Sequence, residues 1–160
     1  MKERETTLCY LEQEGKYLMM HRIKKENDEN HDKWIGIGGK LEPGETPEQC
    51  LLREVREETG LSLLSHSYRG LVRFESDEWG VELMHLYTSS SFTGQPAGDS
   101  PEGTLEWIDK EKVYDLPIWE GDRIFFDLLR RGSPFFRLEL YYAGDLLVRA
   151  VLDGKEILKR

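Results

Sequence analysis

Apolar segments alternate along the chain with charged or glycine-containing turns, and their spacing predicts both strands and helices. Segments with the composition and periodicity of strands are 6–11, 16–23, 68–75, 81–92, 104–108, 135–142 and 146–152. Glu12-Gln13-Glu14-Gly15 predicts a hairpin turn between the first two, and Ala143-Gly144-Asp145 predicts one between the last two. The charged stretch Lys24–Lys33 predicts an exposed loop, and the short, glycine-broken apolar segment Trp34–Gly39 follows it.

The clearest predicted helix spans Thr46–Gly60. Thr46 suits the N-cap and completes a capping box with Gln49, while Pro47 suits the first helical position. Gly60 stands where a left-handed residue ends the helix. One arc of this helix is apolar and is expected to pack on a sheet; it carries Leu51, Leu52, Val55 and Thr59. A second amphipathic helix is predicted over Glu120–Arg130, with its inward side chains at Ile124, Phe125, Leu128 and Leu129.

The order of these elements favours an α+β fold, built as an α/β/α sandwich around a mixed sheet, because helices and strands mix without a regular βαβ alternation. The strand order within the sheet does not follow from the pattern. The final hairpin, Phe135–Leu152, either extends an edge of the sheet or contacts a second copy, so a monomer and a homodimer both remain open.

Length and composition narrow the class of protein. A chain of 160 residues and 18.7 kDa predicts one domain over 1–160, and its four Trp, seven Tyr and six Phe can supply a core. The formal net charge of −9 argues against stable binding to nucleic acid or to an anionic membrane. There is no apolar run of membrane-spanning length and no signal-peptide pattern, and Cys9 and Cys50 form no CxxC motif. We therefore expect a soluble cytoplasmic protein with buried thiols.

Three carboxylates on the predicted first helix share one arc. With Glu54 as zero, Glu57 lies at about −60° and Glu58 at about +40° on a helical wheel. Their mutual repulsion raises each pKa unless a positive charge lies among them. A hard divalent cation with oxygen ligands supplies that charge, and Mg²⁺ or Mn²⁺ suits carboxylate ligation better than Zn²⁺. The alternative is a solvated acidic face neutralised by Arg53 and Arg56.

The spacing around these carboxylates resembles the Nudix hydrolase signature at every specified position. Residues 39–61 read Gly39-x5-Glu45-x7-Arg53-Glu54-Val55-x-Glu57-Glu58-x-Gly60-Leu61. The resemblance implies a Nudix fold, Mg²⁺-dependent chemistry in which Mn²⁺ can substitute, and a nucleotide substrate: a nucleoside diphosphate linked to another group. It further implies that the metal is held by Glu54, Glu57, Glu58 and Gly39, and that Glu45, Arg53 and Gly60 are structural parts of the motif.

The implied reaction requires a proton acceptor and groups that hold phosphate. Metal ions neutralise polyphosphate oxygens, and a carboxylate that is free of the metal takes the proton of the attacking water. Glu54, Glu58 and the downstream Glu102 are the candidates, and the sequence does not choose among them. The backbone at Gly38 and Gly39 can approach a substrate closely. Candidate contacts to the phosphates are Arg22 and Lys40, each of which is otherwise a solvated surface cation.

Three further segments are similar to the MutT-like branch that hydrolyses oxidised purine nucleotides. They are 34–40, 102–107 and 119–122. By position, Trp119 would stack on the base and Asp122 would face its Watson–Crick edge, and Trp34 is included among the expected substrate contacts. The alternatives are that Trp119 is a core residue and that Asp122 is a charge favoured by the dipole at the start of the helix. Ile35 and Gly121 depart from the branch, because each replaces a polar residue that contacts the base.

The leading hypothesis is a Mg²⁺-dependent nucleoside triphosphate pyrophosphohydrolase that converts 8-oxo-dGTP to 8-oxo-dGMP and pyrophosphate and so cleans the nucleotide pool for DNA synthesis and repair. A second hypothesis is another Nudix substrate: an ordinary nucleotide, ADP-ribose or a 5′-triphosphate RNA end. A third is a nucleotide sensor without hydrolysis, which the complete set of Glu54, Glu57 and Glu58 disfavours.

Overall fold

The computed structural model describes residues 3–23, 28–96, 98, 100 and 102–160. The helices in these ranges are α1 (Pro47–Thr59) and α2 (Asp122–Arg130), with a 3-10 turn at Val113–Asp115. The strands are β1 (Glu3–Gln13), β2 (Lys16–His21), β3 (Trp34–Ile35), β4 (Ile37–Lys40), β5 (Ser62–Leu63), β6 (Ser67–Ser76), β7 (Gly80–Ser89), β8 (Phe92–Thr93), β9 (Thr104–Asp109), β10 (Phe136–Ala143), β11 (Leu146–Leu152) and β12 (Lys155–Lys159). Neither helix of the described ranges is long and apolar enough to cross a membrane.

Over the described residues, ten strands form one mixed sheet. Its main order is β12-β11-β10-β6-β7-β1-β2-β3, with β4 paired to β1 and β9 paired to β2. Two of the pairings are parallel, β1 with β7 and β6 with β10, and the others are antiparallel. The parallel register places Leu8 opposite Leu86 and Leu138 opposite Val72. Strands distant in the sequence therefore form the centre of the sheet.

The two helices cover opposite faces of this sheet, since successive side chains of a strand alternate between faces. On β1, Cys9 and Leu11 belong to the core cluster that contains Leu51 and Val55 of α1. The intervening Tyr10 belongs to the cluster that contains the buried side chains of α2, which are Phe125, Phe126, Leu128 and Leu129. The predicted α+β fold with a mixed sheet between helices is confirmed.

Helix α1 has the ends that the sequence predicts. Thr46 caps it by accepting the backbone N–H of Gln49 at 3.1 Å, and the Gln49 side chain accepts the N–H of Thr46 at 2.9 Å. Gly60 ends the helix with φ 79°. The prediction that Leu52 faces the sheet was wrong, because Leu52 is 41% exposed. The apolar arc in contact with the sheet is narrower and consists of Cys50, Leu51, Val55 and Thr59.

The hairpin predicted at 135–152 extends the main sheet and also completes the larger core. β10 pairs with β6, and its inward side chains Phe136, Leu138, Leu140 and Tyr142 pack in the cluster on the α2 side. A further strand, β12, pairs with β11 and was absent from the sequence prediction. Whether a second copy contacts this edge stays a prediction.

Other boundaries differ by a few residues. The strand expected over 81–92 ends at Ser89, and Phe92 belongs to β8, which pairs with β5. The second helix begins at Asp122 rather than Glu120. In the loop predicted over Lys24–Lys33, residues 24–27 lie outside the described residues, and residues 28–33 lie outside helices and strands.

Candidate active site

Glycines bring β4 close to both β1 and helix α1. A Cβ at Gly38 would collide with the backbone carbonyl of Thr7, and one at Gly39 would lie 2.6 Å from the Cδ of Glu54. Only glycine fits at these two positions without displacing a neighbour. The backbone of β4 consequently runs directly beside the first carboxylate of the α1 arc.

Arg53 ties the helix to the preceding turn. Its guanidinium donates from Nε to Glu45 Oε2 at 2.8 Å and from Nη2 to Glu45 Oε1 at 2.9 Å. It also donates to Glu54 at 2.6 Å, to Glu57 at 3.1 Å and to the carbonyl of Lys40 at 3.3 Å. The hydrogen bonds from Arg53, with one from the backbone of Glu42, lower the pKa of Glu45 to about 2. Arg53 thus joins the turn before α1 to the helix, and the scaffold role that the resemblance implies for Glu45 and Arg53 stays a prediction.

The three carboxylates of the arc differ in their surroundings. Burial raises the pKa of Glu54 although Arg53 opposes the shift. Burial also raises the pKa of Glu58, and the charges of Glu54 and Glu102 add to the effect. Oε2 of Glu58 is buried with no hydrogen-bond partner among the described residues. Glu57 is 57% exposed at the rim. Glu54 and Glu58 therefore concentrate negative charge where little water reaches.

The donor set fits a hard divalent cation such as Mg²⁺ or Mn²⁺. It offers carboxylate oxygens, one of them the unpartnered Oε2 of Glu58, and such oxygens are the ligands these ions prefer. As placed, no group of three or more His, Cys, Asp or Glu in the described part of the chain converges for metal binding. Arg53 holds one oxygen of Glu54 and one of Glu57 by hydrogen bonds. The second oxygen of each carboxylate is not held by Arg53.

Arg22 lies between the loop after β2 and the segment before β9. Its guanidinium is 2.8 Å from Asp28 and 3.3 Å from Glu102. Arg22 is therefore ion-paired with a second predicted site residue, Glu102. The charge of Glu102 also raises the pKa of Glu58. Glu102 thus stands in the same electrostatic environment as the α1 carboxylates.

A cavity of about 220 Å³ opens next to β4, on the face of the sheet that α2 covers. Six residues predicted for the site line it: Arg22, Gly38, Gly39, Lys40, Trp119 and Asp122. Its volume lies below the range of roughly 300–1,000 Å³ that is usual for whole small-molecule ligands. A space of this size suits one planar ring system.

Asp122, the first residue of α2, is a buried acid in this cavity. It is 6% exposed. Burial raises its pKa to about 8, and the nearby Glu82 adds to the shift while Lys33 opposes it. The carboxyl group is therefore mostly protonated at neutral pH, so it can donate one hydrogen bond and accept others.

Trp119 lines the cavity but is packed more tightly than a free stacking platform. It is 6% exposed and meets Phe74 and Tyr142 edge to face, with ring centroids 5.2 and 5.1 Å apart. Its Nε1 donates to Asn30 Oδ1 at 2.8 Å, and the ammonium of Lys33 lies 4.6 Å from its ring centroid. A base that stacks on this ring must use the part that faces the cavity, beside Lys33.

Trp34 does not line the cavity, contrary to its inclusion among the substrate contacts. Its ring stacks on His21, with centroids 4.5 Å apart, and packs into the core. The next residue, Ile35, does line the cavity. Gly121 has a structural explanation: a Cβ there would lie 2.5 Å from Leu140 Cδ1 and 2.8 Å from the Tyr142 hydroxyl. Packing of β10 against this turn leaves no room for a side chain.

Sequence reasoning missed seven polar residues that line the cavity: Arg4, Thr6, Thr7, Asp28, Glu29, Asn30 and Glu82. A signal for two of them was available in the alternation of the strands. Arg4 is in phase with Thr6 and Leu8 of β1, and Glu82 is in phase with Met84 of β7, so each lies on the inward face. Polar residues at inward positions of a strand indicate a cavity rather than a closed core.

The comparisons with known proteins agree with this geometry. The sequence matches the NUDIX domain over residues 2–129. Because the match spans most of the chain, the protein belongs to this family. It is a Nudix hydrolase, an enzyme that acts on pyrophosphate bonds of nucleotides.

Full-length relatives support the same assignment. The chain is 30% identical to an uncharacterized Nudix hydrolase, YvcI, of Bacillus subtilis, over 94% of this chain and 95% of the relative. It is 31% identical to an oxidized purine nucleoside triphosphate hydrolase of Danio rerio, over 94% of both chains. Among solved structures, a MutT protein from Bacillus halodurans superposes with a TM-score of 0.82 at 26% identity, covering 94% of this chain and 97% of its own. Nudix hydrolases in general use a divalent metal and bind nucleotides.

Proposed function

We propose that this enzyme is a Mg²⁺-dependent nucleoside triphosphate pyrophosphohydrolase that prefers 8-oxo-dGTP and releases 8-oxo-dGMP and pyrophosphate. The observation that carries the proposal is the buried Asp122, which faces a base-sized cavity beside the glycine strand β4. The relative from Danio rerio is named an oxidized purine nucleoside triphosphate hydrolase, which supports the substrate class.

In this proposal the base occupies the cavity on one side of β4, and the phosphates lie on the other side. Trp119 and Asp122 line the inner part, whereas Lys40 lies at the end of β4 near the α1 carboxylates. Arg22 and Lys40 are the cations available for phosphate oxygens at the mouth. Binding the base deep in the cavity then directs the triphosphate toward Glu54 and Glu58.

The α1 carboxylates and Gly39 would hold Mg²⁺, which supplies charge neutralisation of the phosphate oxygens and acidifies a bound water. The chain itself supplies the proton acceptor. Oε1 of Glu54 accepts from Arg53, while Oε2 of Glu58 has no partner in the described residues. Glu54, Glu58 and Glu102 remain the candidates for the general base that accepts this proton. The low exposure of Glu54 and Glu58 keeps bulk water from competing for the proton.

Base selectivity follows from the protonation of Asp122. The syn form of 8-oxoguanine presents an edge that differs from that of guanine in both donors and acceptors. A neutral carboxyl group can both donate to an oxygen of this edge and accept from a nitrogen. An ionised carboxylate can only accept. Stacking on Trp119 adds affinity of about 1–3 kcal/mol that is common to all purines.

A substrate panel read by product mass tests the proposal. It contains 8-oxo-dGTP, dGTP, ADP-ribose and a 5′-triphosphate RNA, each assayed with Mg²⁺ and then with EDTA. We expect the highest kcat/KM for 8-oxo-dGTP, with the monophosphate and pyrophosphate as products. Preference for ADP-ribose or RNA would contradict the substrate assignment, and binding without turnover would identify a sensor.

Two variants connect the preference to the site. Asp122→Ala should narrow the ratio of kcat/KM between 8-oxo-dGTP and dGTP, whereas Trp119→Ala should raise KM for both alike. Asp127→Ala is the matched control, because Asp127 lies on the exposed side of the same helix. An unchanged ratio in Asp122→Ala would remove Asp122 from base recognition.

A further inference from the structure

A second carboxyl group faces Asp122 across the cavity. Glu82 enters from β7 in the floor of the sheet, and its side chain is 17% exposed. The two groups are close enough that the charge of Glu82 raises the pKa of Asp122. The cavity is thus lined by acids from two elements, the helix and the sheet.

Glu82 is fixed in position by two donors. Thr6 donates its hydroxyl to Glu82 Oε2 at 2.8 Å, and Nη2 of Arg4 is 3.4 Å from Oε1. Thr6 and Glu82 lie on neighbouring parallel strands with their side chains on the same face. Arg4 also binds Glu29 from the loop, at 2.6 Å. A carboxyl group held at both oxygens presents its remaining lone pairs in a constant direction.

The polar groups around the cavity leave acceptor capacity unused. Arg4 serves two carboxylates, Glu29 and Glu82, which together offer more lone pairs than its guanidinium fills. In the same ranges, no hydrogen bond or ion pair is formed by the carboxyl group of Asp122, which is more than nine-tenths buried. Buried polar groups without protein partners are costly unless a ligand satisfies them. The surplus of acceptors fits a ligand edge that carries N–H donors.

We propose that Glu82 is a specificity-determining residue that selects a guanine-type edge over an adenine-type edge. This inference rests on the proposed function. Guanine and 8-oxoguanine carry two adjacent donors, N1–H and the exocyclic amino group, which a carboxyl group accepts side by side. Adenine carries an acceptor at N1, and an acceptor facing the lone pairs of Glu82 is repelled.

Glu82→Gln tests the inference sharply. The amide oxygen would keep the contact with Arg4, and the N–H₂ would replace Oε2, where the Thr6 hydroxyl can turn to accept. This replaces one acceptor of the group with a donor at nearly constant volume. We expect the kcat/KM ratio of dGTP to dATP, and of 8-oxo-dGTP to dATP, to fall by about ten- to a hundredfold. The change should appear mainly in KM.

Two further variants keep the test decisive. Glu106→Gln makes the same chemical change at an exposed position of β9 and should leave both ratios unchanged. Thr6→Val removes only the hydroxyl that positions Glu82, and it should lower both ratios in the same direction by a smaller factor. This variant also answers the question if Glu82→Gln fails to fold, which its melting curve reveals.

The outcomes separate the two proposals. A wild-type enzyme that hydrolyses no purine nucleoside triphosphate with Mg²⁺ would overturn the proposed function itself. If the wild type is active but both ratios stay within twofold in Glu82→Gln and Thr6→Val, the role of Glu82 is refuted. An equal loss of kcat/KM for all three nucleotides would likewise assign Glu82 to packing alone.

Discussion

The hydroxyl of Tyr142 accepts a hydrogen bond from the backbone N–H of Gly121 at 2.7 Å. Gly121 lies between Trp119 and Asp122, the two residues proposed to hold the base, while Tyr142 belongs to β10 in the C-terminal part of the sheet. The bond therefore joins the added strands to the turn that begins α2. Arg160 reinforces this connection, since its guanidinium binds Glu120 at 2.6 and 2.8 Å.

Tyr142→Phe removes this bond and leaves a buried N–H unsatisfied. We expect a loss of stability of about 1–3 kcal/mol and a rise in KM for the nucleotide, because the turn that carries Asp122 loses its anchor. Thermal melting and steady-state kinetics measure both effects. Tyr141→Phe is the control: Tyr141 lies on the opposite face of the same strand and bonds Glu139. Equal behaviour of the two variants would show that the anchor is unimportant.

Glu57→Gln should lower kcat by roughly 10²-fold, because a carboxylate that neutralises developing charge is lost. The fold should remain intact or become slightly more stable without metal, since repulsion within the arc decreases. Activity of the wild type should vanish with EDTA and return with Mg²⁺ or Mn²⁺. Glu48→Gln, on the exposed first turn of α1, is the control. Near-native turnover of Glu57→Gln would refute its assignment as a ligand.

Arg53→Ala should lower the melting temperature as well as activity, and added metal should restore neither. The reason is that Arg53 connects Glu45, the carbonyl of Lys40 and the α1 carboxylates. Arg56→Ala, at an exposed position of the same helix, should change little. A native melting temperature together with lost turnover would move Arg53 from the scaffold to the chemistry.

Asp122→Asn should alter how stability depends on pH. The folded-state pKa of Asp122 is about 8, against 3.8 for an ordinary Asp. Between these values the folded protein binds one proton more than the unfolded chain, so stability falls as pH rises through this range. Asn cannot ionise and lacks this contribution.

The free energy of unfolding of Asp122→Asn minus that of the wild type should therefore grow between pH 4 and 8 and then level off. Its slope is at most about 1.4 kcal/mol per pH unit. Urea titrations at several pH values measure it. A difference that is constant with pH would show that Asp122 is ionised in the folded protein.

Local signals made helix α1 and its motif predictable. The cap at Thr46, the glycine at position 60 and the spacing of Glu54, Glu57 and Glu58 all lie within one short segment. The prediction that Leu52 is buried was wrong, because a helix that packs on a sheet buries a narrower arc than the helical wheel suggests. β12 was missed because its sequence, Lys-Glu-Ile-Leu-Lys, is polar and its residues are mostly exposed.

The cavity could not be predicted in the same way, because it depends on pairings between distant strands. Glu82 meets Thr6 only because β7 lies parallel to β1, and Asn30 meets Trp119 across a loop. The departures at Ile35 and Gly121 removed two expected base contacts. In the structure, Glu82 and Asn30 line the same cavity. They come from elements that the sequence pattern did not associate with a site.

The parallel pairing of β6 with β10 also determines when during its synthesis this protein can fold. A chain emerging from the ribosome delivers Val72 and Phe74 long before Leu138 and Leu140, their neighbours in the larger core. Until then that apolar surface stays open, and closing such long-range contacts late is slow. A ribosome-bound chain stalled after Ser133 should be cut readily by protease. A chain that has left the ribosome with residues up to Lys159 should resist. Early resistance would mean that the first 133 residues fold without the strands that support Gly121.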